Sequence, residues 1–313
     1  MAVTNVAVLP PAVREYYDRL LLMTAYPALI HTRFAQKRVL PKKMGDTIVF
    51  RRYARLSTVP IPLVDGITPP GAALSASDIK ARVDFYGNFV TVTNQVEMTV
   101  EDRVLNESAR LLAQNLAQTM DEVTRDVLAS TSSVLLCSNG TNGSTPSDLS
   151  KADLDAAIKT LLGNDAEMIS EVIEGIDAFG TAPVRPAFFG FIDTDLLDDL
   201  EAVSNFLSSA NYPNNMRVLD NEWGSTSNIR WLYTSVGSVS SASPAVYNNF
   251  VVGKEAYAVV HLGSEGGDFY IEPLGSAGAA DPLHQRGSVG WQHPFVARIL
   301  NDAFMLNVMA THS

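Results

Sequence analysis

The 313-residue chain is 46% hydrophobic and 18% charged, with a formal net charge of -11. That balance excludes a disordered chain, and no window approaches the roughly 20 uninterrupted apolar residues of a membrane span. The acidic total argues against a dedicated nucleic-acid binder, and Cys137, the single cysteine, has no intrachain partner and cannot anchor zinc alone.

The start, Met1-Ala2-Val3-Thr4-Asn5, has no basic flank leading into an apolar run, so it does not read as a signal peptide. With one cysteine, the expected setting is a reducing bacterial cytoplasm. Charge is unevenly spread. Between Arg33 and Arg55, eight cations face only Asp46, a net +7, which leaves -18 on the rest of the chain. Such a run is often no more than a solvated face. The sharper reading is a basic segment that lies on the acidic body of another copy.

In chain order, apolar residues from Ala12 to Met23 recur at helical spacing, and Pro27 limits that helix. Residues 28–45 look extended or irregular. A strand is expected from Asp46 to Ser57 and a second from about Ile79 to Val96. Between them, Pro60, Pro62, Gly66, Pro69, Pro70 and Gly71 mark a long, stiffened hairpin tip. A two-stranded arm is marginal alone in water and has open edges, so support from another subunit is expected.

The longest helix should run from a capping-box variant at Thr99–Asp102 to a Ser/Thr cluster near Ala129, spanning roughly 45 Å. Its expected apolar stripe holds Val100, Val104, Leu111, Leu112, Leu116, Met120, Val123 and Val127, with Asp121 among the polar residues elsewhere. Residues 138–150 read as a flexible linker. Ser150 should cap a helix through Leu162, Ala187–Ile192 is a buried strand, and Asp193-Thr194 should cap a helix from Asp195 to Phe206. Strands are expected through Asn228–Tyr233, Phe250–Val252 and Asp268–Pro273. After a Gly/Ala/Pro break at 275–282, a final strand pair near Trp291 to Met309 should return beside the long helix.

That order resembles the α+β Hong Kong 97-type fold of tailed-phage capsid proteins: N-arm, E-loop hairpin, P-domain with a long spine helix, and A-domain. Local sequence sharpens the likeness. Phe34–Arg38 and Pro41–Tyr53 look like the lead-in to the E-loop in the group typified by the podovirus N-four. Asn221-Glu222-Trp223-Gly224, Gly253–Tyr257, Asp281-Pro282-Leu283, Gly287–Trp291 and Ile299–Asp302 resemble that group's later motifs, in order, over nearly the whole chain. One departure is Gln292-His293-Pro294, where the group carries a lysine soon after the tryptophan. The resemblance implies an N-arm at 1–45, an E-loop at 46–96, a P-domain at 97–150 with 283–313, and an A-domain at 151–282.

It also implies a function of assembly without catalysis: a major capsid protein that builds the icosahedral shell around the double-stranded DNA of a tailed bacteriophage. The alternatives weighed are an encapsulin-like compartment shell and a soluble enzyme using the acidic lobe. The implied partners are further copies, as hexamers and pentamers, with a separate scaffolding protein, a portal and, as a further candidate, a decoration protein. Contact with packaged DNA should be weak and non-specific, and no membrane is involved. The implied location is the virion, after assembly in the host cytoplasm. No cofactor, metal or catalytic group is expected. None of His31, His261, His284, His293 and His312 lies three or four residues from another, and the carboxylates Asp195, Asp198, Asp199 and Glu201 suit the first turn of a solvated helix. The candidate inter-subunit residues are Arg51, Arg52 and Arg55. Lys37, Arg38, Lys42 and Lys43 form an arm cluster that faces either a neighbour or DNA.

Overall fold

A computed structural model describes residues 29–43, 45–59, 71–99, 104–170, 186–212, 218–263, 267–273 and 281–312. The expected helix at 12–23, residues 60–70 of the hairpin tip and the expected cap at 100–102 lie outside them.

The chain enters the body at Ile30 and forms β1 (Gln36–Leu40). β2 (Thr47–Tyr53) and β3 (Ala76–Arg82) then pair antiparallel as an isolated hairpin, from Thr47 opposite Arg82 to Tyr53 opposite Ala76. The second expected strand divides at Val83. This residue is buried and its N–H donates to the Asp46 carbonyl, which closes the base of the hairpin. Beyond it, β4 (Asp84–Thr93) leaves β3 and joins a different sheet, and Asn94–Thr99 turn helical as α1.

The long helix α2 (Val104–Ala129) has 26 residues and spans about 39 Å. It covers one face of a five-stranded sheet containing β1, β4, β12 (Tyr257–Leu262), β13 (Asp268–Glu272) and β14 (Arg286–Ile299). Alternation along β14 explains the packing. Val289 and Trp291 meet Leu112 and Leu116, while Phe295 and Ala297 meet Met120, Val123 and Val127. Leu111 sits off this stripe and is exposed, because it lies one residue, about 100°, from Leu112. Asp121 departs further from expectation. It is fully buried and accepts from the backbone N–H and the ring Nδ1 of His31, at 2.8 and 2.7 Å. The body covers this side of α2 as well, through the arm root, so a carboxylate here requires a partner.

The second sheet has eight strands. Its main path is β5 (Val134–Leu136), β15 (Met305–Thr311), β11 (Val246–Val252), β6 (Phe188–Asp193), β9 (Ile229–Thr234), β8 (Glu222–Thr226) and β7 (Phe206–Ser208), with β10 (Ser238–Val239) on β11. β6 is buried along its length because both faces are covered. Phe188 and Ile192 meet α3 (Lys151–Gly163) through Leu154 and Leu161, while Phe189 and Phe191 meet Ile30, Phe34 and Leu128. Ser150 caps α3 with a capping box completed by Asp153. That carboxylate also accepts from the N–H groups of Ser138 and Gly140, at 3.0 and 2.7 Å, so the expected flexible linker is a pinned turn. The expected helix from Asp195 is shorter. A 3-10 turn capped by Asp193 leads into α4 (Leu197–Ala202), and Asn205 then takes a left-handed conformation so that Phe206 can start β7. Strands β8 and β12 were not among those expected.

Candidate functional site

Among the described residues, the hairpin β2–β3 pairs with no third strand. Alternation splits its side chains. Ile48 and Phe50 pack at its base against Leu40, Val83 and Val260, while Val49, Tyr53, Leu56, Val59 and Leu74 remain exposed. Five cations, Arg51, Arg52, Arg55, Lys80 and Arg82, face two carboxylates, Asp78 and, at the base, Asp46, over its described residues.

The three candidate arginines have different surroundings. Arg51 donates from Nε and a terminal nitrogen to Asp78 across the hairpin, at 2.9 and 3.1 Å, and Arg55 donates to Asp165 of the body at 2.9 Å. Both pairs are solvent-exposed, where the median ion pair contributes little. Arg52 is exposed and lines a cleft of about 600 Å³ with Arg298 and the segment Leu300–Ala303. In the arm cluster, Arg38 lines one cleft together with Arg51 and Arg52. Lys37 and Arg38 sit exposed on β1, the strand added parallel to β12, and Lys42 and Lys43 follow it in an exposed turn. The basic segment is therefore partly brought together, with Arg38 of β1 beside Arg51 and Arg52 of β2.

A second surface was not legible in advance. On the face of the five-stranded sheet turned away from α2, Phe89 and Tyr270 flank Gly290, each directly opposite it in register. Phe85 lies two residues along β4, beyond Gly87. The glycines leave a floor without side chains, and the result is a cleft of about 360 Å³. Phe85, Phe89 and Tyr270 are 60%, 54% and 52% exposed. Glu272 lines the cleft, Asp268 stands exposed on the same strand, and no lysine or arginine lines it among the described residues. An open cluster of large aromatics with an acidic rim marks an interaction surface. On the other face, Asn115 of α2 accepts from Asn88 and from the Trp291 indole, which ties the sheet to the helix.

The profile of the family described as phage capsid protein matches residues 76–293, more than half of the chain. The chain belongs to the phage capsid protein family. By sequence, no curated protein matches it. Among solved structures, the capsid protein is similar to the capsid of Ralstonia phage GP4, at 13% identity and a TM-score of 0.70 over 100% of this chain and 99% of that one. It is also similar to the acidic stable capsid of Helicobacter pylori bacteriophage KHP30, at 13% identity and 0.66 over 100% and 98%. For the capsid of cyanophage P-SCSP1u the values are 15% and 0.62 over 100% and 96%. These likenesses give the fold, which is of the Hong Kong 97 type. As a phage capsid protein it is a structural subunit of a phage shell.

Three buried polar constellations were also missed in the sequence. Glu222 and Arg230 pair in the core of the eight-stranded sheet, where the carboxylate also accepts from the Tyr212 hydroxyl and the Leu219 N–H. The second is His31 with Asp121. The third is His261 with His293, whose Nδ1 and Nε2 lie 2.8 Å apart. No local spacing announces a pair separated by 32 residues in sequence.

Proposed function

We propose that copies of this chain interlock by laying the β2–β3 hairpin of one subunit on the aromatic face of β4, β13 and β14 of its neighbour. The observation that carries this reading is the hairpin itself, whose exposed face sets Val49 and Tyr53 among Arg51, Lys80 and Arg82. Only the base of the hairpin packs on the body, through Ile48 and Phe50, and a two-stranded arm is marginal in water, so a covering partner would stabilise the rest. The acidic rim and the aromatic walls of the sheet face match such a strand in charge and in apolarity.

In this reading residues 1–45 are the arm, 46–96 the hairpin region, 97–150 with 283–313 the spine-helix domain, and 151–282 the lobe that forms hexamers and pentamers. The shell is icosahedral and encloses double-stranded DNA. A separate scaffolding protein guides assembly in the host cytoplasm, and portal and decoration proteins complete the particle. The chain does no catalysis. Each contact is modest, and closed symmetry repeats it many times. Arg51, Arg52 and Arg55 steer the hairpin onto acidic surface. Lys37, Arg38, Lys42 and Lys43 face a neighbour or the packaged DNA.

Charge reversal tests the steering role. Arg52→Glu should lower shell yield while leaving the thermal melt of the subunit unchanged. Normal shells from both Arg52→Glu and Arg51→Glu would sink it. For the arm cluster, neutralising all four cations separates its two roles: DNA-free shells of normal stability favour the DNA-facing one, and weakened empty shells favour interlocking.

A further inference from the structure

We infer that the His261–His293 pair makes the seam between the five-stranded sheet and α2 an acid-releasable joint, closed while both imidazoles are neutral and opened by their protonation.

The geometry dictates the behaviour. The two rings come from adjacent antiparallel strands, β12 and β14, and both residues are buried. The 2.8 Å Nδ1···Nε2 separation holds one hydrogen, so one ring donates and the other must offer a lone pair. A first proton can be accommodated only on an outer nitrogen. The outer nitrogen of His293, Nδ1, is buried without a hydrogen-bond partner among the described residues. A second proton places a hydrogen on both facing nitrogens and breaks the bond outright. The rings also contact Phe295, with centroids 5.2 and 6.3 Å away, and Phe295 is the residue that Met120 and Val123 of α2 cover. Strain at the pair is therefore transmitted to the helix seam.

The groups facing the pair leave this balance on the neutral side. On β1, the Lys37 ammonium opposes a charge on His261. On β13, the Asp268 carboxylate favours a charge on His293 but does not offset its burial. On β4, Tyr86 stands directly opposite His293 as a neutral phenol, with Asp84 two residues before it. From α2, the carboxylate of Asp121 is committed to His31 and contributes to neither shift. Burial first, then His293, then Lys37 push the His261 imidazole down to about 4, and burial lowers His293 also.

The sign follows. Above the ordinary imidazole range, folded and unfolded chains are both neutral and the joint contributes fully. As pH falls below about 6.5, the unfolded chain binds protons that the folded one refuses, so stability declines until the folded group itself titrates near 4. For His261 alone, the folding constant drops roughly seventyfold between pH 7.5 and 4.5.

The test is urea unfolding of the purified full chain at both pH values, beside the double variant His261→Asn, His293→Gln. Those amides retain a donor and an acceptor near the same positions and take up no proton. The wild type should lose at least tenfold more in folding constant than the variant over that interval. Equal losses overturn the inference. Should the variant not fold, histidine NMR titration of the wild type decides: His261 must titrate near 4 and His293 below the ordinary imidazole range. Titration of both near 6.5 in the native chain overturns it.

Discussion

Replacing Phe89 by aspartate should abolish shell formation without unfolding the subunit. The Phe89 side chain faces away from α2, opposite Gly290, and is just over half exposed. An aromatic side chain buries about 150–250 Å², so covering the exposed half removes about 100 Å² from water. At about 25 cal/mol per Å², that is about 2.5 kcal/mol per contact, or nearly two orders of magnitude in affinity. The new carboxylate adds repulsion, because Glu272 already lines the same cleft. Each contact recurs throughout a closed shell, so the loss multiplies. Sedimentation velocity and negative-stain microscopy read assembly, and a urea melt reads the fold. Val289→Asp is the internal control. Val289 faces the opposite side of the same sheet, buried against Leu112 and Leu116, and its replacement should unfold the chain. Normal shells from Phe89→Asp would refute the assignment of this face as the docking surface.

Glu222→Ala should destabilise the subunit by about 3–5 kcal/mol, because the buried Arg230 guanidinium loses its carboxylate. Glu222→Gln, which keeps an acceptor for Tyr212 and Leu219, should cost less, and equal costs for the two in a urea melt would contradict the charge argument. Cys137 is buried, and desolvation, then Asp153, pushes its thiol up to about 12. It should resist a thiol-specific reagent in the native chain and react in urea, and rapid native reaction would contradict its placement beneath the pinned turn at 138–150.

The legible parts of the fold were those whose signal is local. The hairpin strand at 47–53, the α2 stripe through Leu112, Leu116 and Val123, the Ser150 capping box and the apolar run of β6 all follow from periodicity or capping within a few residues. The missed features depend on what lies on top. β12 (YAVVHL) is almost wholly buried, so no polar alternation marks it as a strand. Asp121 reads as a surface residue until the arm root brings His31 onto it from 90 positions away. Asp153 turns a glycine-rich linker into a fixed turn because a capping carboxylate has lone pairs to spare. For the candidate site, the cations were visible from the start. The aromatic face was not, because Phe85, Phe89 and Tyr270 converge only after β4 and β13 flank β14.

The most direct measurement is negative-stain electron microscopy of the purified chain, alone and co-expressed with a scaffolding protein, beside light scattering after size exclusion. Closed shells, capsomer rings or tubes of capsomers are the predicted result. A monodisperse monomer under both conditions would contradict the account.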